Sequence, residues 1–205
     1  MTDRKNHWEQ VYSSKTSTEV SWYQPCPDIS LKLIEHSGIT PDDPIIDIGG
    51  GCSLLVDHLI TLGYTNISVL DLARSALDIA IRRLEEQAEK VTWIEADATD
   101  FDLAHEIALW HDRAVFHFLT DPADQKAYLQ NLKRHLRTGG QLIIAAFAPE
   151  GPEKCSGLNI VQYDLDKIQA ELGPDYVLHE ATAENHVTPS GGQQAFNYFR
   201  FEISV

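Results

Sequence analysis

The sequence predicts an α/β fold: a doubly wound, mostly parallel seven-stranded sheet that ends in an antiparallel hairpin. Three observations carry this. Short apolar runs alternate with amphipathic segments across short connections, the pattern of βαβ units. The first apolar run ends in three consecutive glycines, Gly49, Gly50 and Gly51. Two strand-like runs near the C-terminus flank the turn-rich TPSGGQ, which reads as a hairpin on the sheet edge.

Taken in order, residues 4–14 form a short helix with Trp8, Val11 and Tyr12 on one side. Pro25 and Pro27 break the next stretch, because proline cannot continue a helix. A helix starts at Ile29 and stops at Gly38, and TPDDP is a turn. PIIDIGGG is the first strand, and LLVDHLITLGY a helix closed by Gly63. NISVLDL is the second strand, and SALDIAIRRLEEQ a helix with Ser75 as its N-cap. KVTWIEAD and EIALWH are the third and fourth strands. In DPADQKAYLQNLKRHLRTGG, Asp121 caps a helix, Pro122 suits its first turn, and Gly139 and Gly140 end it. QLIIAAFA is the fifth strand, DLDKIQAELG a helix, and YVLHEATAENHV and QAFNYFRFEISV the hairpin. This organisation predicts one domain over 1–205. Residues 1–27 form an N-terminal lid segment, 28–150 a ligand-binding core, and 151–205 a C-terminal helix and hairpin.

Composition bounds the function. The 205 residues carry 16 Lys plus Arg against 31 Asp plus Glu, a net charge of −15. So acidic a surface repels phosphate backbones and anionic lipid heads, which disfavours nucleic acid and membranes as partners. Cys26, Cys52 and Cys155 are odd in number and contain no C-x-x-C pair, which argues against a disulfide framework or a structural zinc site. Reduced thiols and the lack of a secretory-type N-terminus predict a cytoplasmic protein. No metal site is expected, and the sequence sets no oligomeric state.

The strongest chemical signal is IIDIGGGCS. In open α/β sheets, ligands bind beyond the carboxyl ends of the strands. Glycines there let backbone approach the ligand, and the helix behind favours lone-pair groups. The dinucleotide pattern G-x-G-x-x-G fails because Leu54 stands at its third glycine. The pattern acidic-x-G-x-G-x-G fits at Asp47, Gly49 and Gly51, with Ser53 in the last position. Asp71 ends the next strand, near the spacing of about 20 residues at which an acid reaches ribose hydroxyls. Asp97 and Ala98 end the third, where a carboxylate can accept from an adenine amine and an amide can donate to a ring nitrogen. Phe101 is placed to cover the ring.

These segments, with VLDLARSALDIA, WIEADATDF, LWHDRAVFHFL and LRTGGQLIIAAF, resemble in order and spacing the small class I, Rossmann-like S-adenosylmethionine-dependent methyltransferases. The resemblance runs from about residue 45 to 147, and HWEQVY and EVSWYQP resemble the lid of such proteins. It implies S-adenosyl-L-methionine as cofactor. Asp47, Gly49, Gly50 and Gly51 would hold the methionine portion, Asp71 and Leu72 the ribose, and Asp97 and Ala98 the adenine. Trp110 and His111 would lie near the methyl group. The fourth strand lacks an N/D-P-P-Y/F motif, which counts against methylation of a DNA base or of glutamine.

Methyl transfer from a sulfonium mainly requires alignment and exclusion of water; a base is needed only for a protonated acceptor. His111, Asp112 and Arg113 are the catalytic candidates: His111 to take a proton, and Arg113 to hold an acceptor carboxylate or pair with Asp112. Trp22, with Tyr23 and Trp8, is placed to cover the sulfonium through cation–π attraction or to pack the N-terminal segment. His117 reads as a core histidine, His186 as an exposed turn residue, and Cys52 as either a small loop residue or a reactive thiol. The expected acceptor is a nitrogen on a small molecule or a protein lysine. The rival reading is a cofactor-binding module without turnover.

Overall fold

The computed structural model describes residues 3–204; Met1, Thr2 and Val205, part of the expected lid segment and last strand, lie outside the described residues. Seven strands form one sheet: β1 (Ile45–Ile48), β2 (Ile67–Asp71), β3 (Val91–Glu95), β4 (Ile107–Arg113), β5 (Leu136–Phe147), β8 (Tyr176–Val187) and β9 (Gln193–Ile203). Their order is β3-β2-β1-β4-β5-β9-β8. The first five run parallel and β9 is antiparallel to both β5 and β8. Strand order therefore reverses between β1 and β4, where the crevice of an open α/β sheet lies. Two-residue strands β6 (Lys154–Cys155) and β7 (Leu158–Asn159) make a separate hairpin. Ser156 and Gly157 turn it, both at positive φ, as a two-residue hairpin requires.

The helices are α1 (Asp3–Ser14), α2 (Asp28–His36), α3 (Leu55–Thr61), α4 (Arg74–Leu84), α5 (Pro122–His135) and α6 (Leu165–Leu172). Two apolar layers flank the sheet. Ile46, Ile48, Trp110, Leu142 and Ile144 pack with Tyr128 and Leu132 of α5 and Ile168 of α6. Ile45, Leu109, Ile143 and Ala145 pack with α2, α3 and α4 through Leu33, Leu59 and Leu77. The period-2 alternation of side chains sends neighbouring residues of each strand to opposite layers. Among the described residues no helix is long and apolar enough to cross a membrane.

Several boundaries differ from expectation. Ala73, not Ser75, is the N-cap of α4; its first turn receives an outside cap instead, as Glu9 of α1 accepts from the amides of Arg74 (2.7 Å) and Ser75 (3.3 Å). The glycine pair does not end α5. The chain becomes extended at Leu136, which pairs with Ile107, and the pairing shifts between Ile107 and Leu109. Gly139 (φ +73°) and Gly140, where a Cβ would lie 2.6 Å from the Arg137 carbonyl, absorb that irregularity inside β5. The β4 strand extends through Arg113, and Asp121 caps α5 as expected, accepting from the Ala123 amide at 2.8 Å.

Candidate active site

The glycine turn after β1 is held without spare room. Gly49 has φ +65°, and a Cβ on it would collide with the Val115 side chain. Gly51 has φ +34°, and a Cβ there would meet Asp71 Oδ2 at 2.5 Å. An L side chain at Gly49 meets both a strained backbone and a filled space. Gly49→Ala is therefore expected to lower the unfolding midpoint and abolish cofactor binding, as thermal melts with and without S-adenosylhomocysteine will show. Ser53 keeps a negative φ and its hydroxyl accepts from the Leu55 amide at 3.1 Å, opening α3. A serine thus does locally what a glycine in the pattern does not.

Above this turn lies a cleft that encloses about 830 Å³, open solvent at its mouth included. Gly49, Asp71, Leu72, Asp97 and Ala98 line it, with Arg4, Trp8, Tyr12 and Trp22 of the N-terminal segment above them. A second chamber of about 560 Å³ shares Tyr12, Trp22, Gly49 and Arg113 with the first. Asp47, Gly50, Ser53, His111 and Tyr23 also line it. Gly51 lies beneath, against Asp71.

Asp71 is buried, and one oxygen accepts from the Ala73 amide at 2.8 Å. Burial pushes its carboxyl up to about 7; the Ala73 amide opposes this, and repulsion from Asp47 and Glu9 adds to it. Asp97 Oδ1 accepts from the Thr99 amide and hydroxyl, and Oδ2 from Arg4 at 3.2 Å. Arg4 also pairs with Asp124 at 3.1 Å, and Lys5 with Glu95. With the Glu9 cap on α4, these contacts strap α1 across the ends of β2 and β3. Trp8 packs edge-on against Phe118 (5.0 Å) and Trp22 (5.7 Å), extending the cover. Half-exposed ion pairs contribute up to about 1 kcal/mol each. Arg4→Ala is accordingly expected to speed cofactor association and release up to about fivefold each, read by stopped-flow tryptophan fluorescence.

The WHDR segment of β4 does not act as one cluster. Alternation along the strand separates its members. His111 and Arg113 face the α2 side, while Trp110 and Asp112 face α5. Trp110, expected near the methyl group, is fully buried in the core; its indole N–H donates to Tyr128 Oη at 2.9 Å, and its ring packs on Phe101 at 5.8 Å. Phe101, expected over the adenine, stacks on His135 at 5.5 Å in the same core, so Leu119 and Phe118 line the cleft instead. Asp112, expected to be catalytic, is sealed off too. Its carboxylate accepts from Val115 and Phe116 amides and from Tyr128 Oη at 2.5 Å, fixing the turn after β4. Burial raises it to about 6, against the hydrogen bonds from Tyr128 and Val115.

His111 reaches the second chamber with both nitrogens engaged. It stands opposite Asp47 in the β1–β4 register. Nδ1 lies 2.7 Å from Asp47 Oδ1, and Nε2 lies 2.9 Å from Ser30 Oγ of α2. With Nδ1 donating to the carboxylate, Nε2 can accept the serine hydroxyl. Arg113 does not pair with Asp112. Its Nε donates to Tyr198 Oη at 2.7 Å and one Nη to the Trp22 carbonyl at 3.1 Å, and its plane lies over the Phe196 ring, 4.6 Å away.

His117 is fully buried against Phe118 and Phe147, and burial lowers it to about 3. His186 is buried rather than exposed, because Nε2 donates to the Ser21 carbonyl at 2.8 Å and ties the N-terminal segment to β8. All three cysteines are free, and burial pushes the Cys52 thiol up to about 11, so it is no reactive thiolate. Among the described residues no cluster of His, Cys, Asp or Glu could hold a metal.

The donor set fits a nucleoside carrying an amino-acid tail: a carboxylate for a diol at Asp71, one for an amine at Asp97, apolar walls between, and bare backbone at the glycine turn. Residues 45–140 match the family profile of a methyltransferase domain. Human EEF1A lysine methyltransferase 2 is 23% identical over 69% of this chain and 66% of its own length. The malonyl-[acyl-carrier protein] O-methyltransferase of Paenibacillus sp. (strain JDR-2) is 27% identical over 60% and 46%. The chain thus spans about two thirds of one relative and under half of the other. A crystal structure of an S-adenosylmethionine-dependent methyltransferase from Anabaena variabilis superposes with a TM-score of 0.77 at 16% identity, covering 99% of this chain and 96% of that one.

Proposed function

We propose that the chain is a class I, Rossmann-like S-adenosylmethionine-dependent methyltransferase that transfers a methyl group to a nitrogen on a small molecule or a protein lysine; the methyltransferase-domain match over residues 45–140 and the shared fold support this. One observation carries the reading. Acids at the ends of three strands, Asp47, Asp71 and Asp97, meet a glycine turn around one pair of joined chambers. S-Adenosylmethionine, when bound, supplies a methyl group on a sulfonium that is already activated toward in-line displacement. This chain's residues bind, orient and dry the site. Asp71 accepts from the ribose hydroxyls, with Leu72 beside it. Asp97 accepts from the adenine amine while the Ala98 amide donates to the ring. The Gly49–Gly51 backbone holds the methionine portion. Trp22 and Tyr12 cover the sulfonium, Trp22 by cation–π attraction.

The Asp47–His111–Ser30 chain sets the chamber floor. Since both His111 nitrogens are engaged, His111 is a positioning residue here, and the acceptor nitrogen enters neutral with its proton leaving to water. Trp110 and Asp112 act from behind, as packing and as the anchor of the following turn. The human relative named for lysine methylation supports a nitrogen acceptor. The test is calorimetric titration with S-adenosylmethionine, followed by transfer of a labelled methyl group in a cell extract. Absence of heat and of thermal stabilisation at millimolar cofactor would refute cofactor binding. Binding with no labelled product would favour a module that binds without turning over.

A further inference from the structure

We propose that Arg113 is a carboxylate receptor at the acceptor end of the cleft, so that the methyl acceptor is a small molecule with an apolar body and a carboxylate. This rests on the methyltransferase reading and narrows its substrate class. The Arg113 side chain is 10% exposed. Its Nε and Nη1 are satisfied by Tyr198 and Trp22, but Nη2 is buried with no hydrogen-bond partner among the described residues. The nearest carboxylate, Glu184, stands 3.8 Å from Nη2, beyond hydrogen-bond length. The two form an ion pair without a hydrogen bond, because one Glu184 oxygen accepts from Tyr198 Oη at 2.6 Å and the other from Gln24 at 2.7 Å. A buried guanidinium N–H without a hydrogen-bond partner is costly, and a planar carboxylate is its natural complement.

Position bears on whose carboxylate this is. The guanidinium lies on Phe196 and Tyr198 of β9, reaching from β4 across β5. Phe196 and Tyr198 stand three strand spacings, roughly 14 Å, from β1, while Arg113 also lines the second chamber beside Gly49, so the test below separates an acceptor carboxylate from that of the methionine portion. Around it the cleft is walled by Phe118, Phe147, Phe196 and Cys155. Burial pushes the Cys155 thiol up to about 11, so that wall stays uncharged. The acids of the cleft, Asp71 and Asp97, sit at the nucleoside end. A ring or chain of carbon would fill this aromatic pocket, with its carboxylate on Nη2 and its nitrogen toward the methyl group. A protein lysine offers no such anion of its own.

The test is calorimetry on the protein saturated with S-adenosylhomocysteine, using benzoate and benzylamine as probes. Benzoate is expected to bind at least tenfold tighter than benzylamine. Arg113→Met is expected to weaken benzoate at least tenfold while changing S-adenosylhomocysteine affinity less than threefold, and Arg113→Lys is expected to recover part of the loss. Equal or tighter binding of benzylamine, or no benzoate heat at about 10 mM, overturns the proposal on the unaltered protein, whether or not the variants fold. A tenfold loss of S-adenosylhomocysteine affinity in Arg113→Met, with 5′-methylthioadenosine unaffected, also overturns it, by assigning Arg113 to the methionine carboxylate. The S-adenosylhomocysteine titration reads cofactor binding separately, so the two failures are distinguishable.

Discussion

Asp71→Ala is expected to weaken S-adenosylhomocysteine binding more than tenfold, a loss of about 1.4 kcal/mol or more, in calorimetric titrations at pH 8. Under the proposed assignment the ribose hydroxyls would lose a charged acceptor at a buried position. The same carboxyl makes binding depend on pH. Burial sets it at about 7, so the ionised acceptor is depleted as pH falls through neutrality. Affinity of the unaltered protein is expected to rise from pH 6 to pH 8, and the rise to vanish in Asp71→Ala. Stability moves the opposite way. An acid raised on folding binds its proton more tightly in the folded state. Its contribution is therefore fully present below the unfolded value near 3.9 and is lost as pH rises through about 7. Asp71→Asn, which cannot ionise, is expected to melt higher than the unaltered cofactor-free protein at pH 8 while binding cofactor worse. An unchanged affinity in Asp71→Ala would remove the ribose assignment.

His111→Ala is expected to destabilise the protein by about 3 kcal/mol, the upper end of the range for leaving a buried polar group without its partner, since the group left is a carboxylate. Asp47 and His111 are both buried, and Asp47 loses its 2.7 Å partner beneath the glycine turn. Urea unfolding measures the loss. Ser30→Ala removes only the outer hydroxyl and is expected to cost about 1 kcal/mol. Cofactor affinity is expected to fall more in His111→Ala than in Ser30→Ala, because Asp47 orients the start of the turn. Equal, small losses in the two variants would mean that Asp47 finds solvent and that the chain of three is not a unit.

Much of the candidate cofactor end is legible in the amino-acid order. IIDIGGG places an acid and three glycines between an apolar run and a helix, and Asp71 and Asp97 close their strands where turns must come next. Such signals are local. Expectation and fold part where a strand's alternation acts on a polar cluster. Trp110, His111, Asp112 and Arg113 look like one constellation in the sequence, yet β4 sends Trp110 and Asp112 into the α5 layer and the other two to the opposite face. Phe101 and His186 depart from expectation for a different reason. Their partners, His135 and Ser21, lie far off in sequence. The Ser156–Gly157 hairpin has its turn dipeptide in plain sight, but two-residue strands are too short for any period to register.

The amino-acid order by itself determined the succession of strands and helices, the bare turn after β1 and the acids at the ends of successive parallel strands. Hydrophobic period, glycine conformation and turn chemistry act over a few residues. The folded chain alone decided that Asp47 is held by His111 and His111 by Ser30, that α1 straps the cleft through Arg4 and Glu9, and that Arg113 reaches β9 with one guanidinium nitrogen lacking a hydrogen-bond partner. Those outcomes depend on which strands become neighbours and which face each residue takes, and no short stretch of sequence encodes the pairing of residues 64 or 85 positions apart.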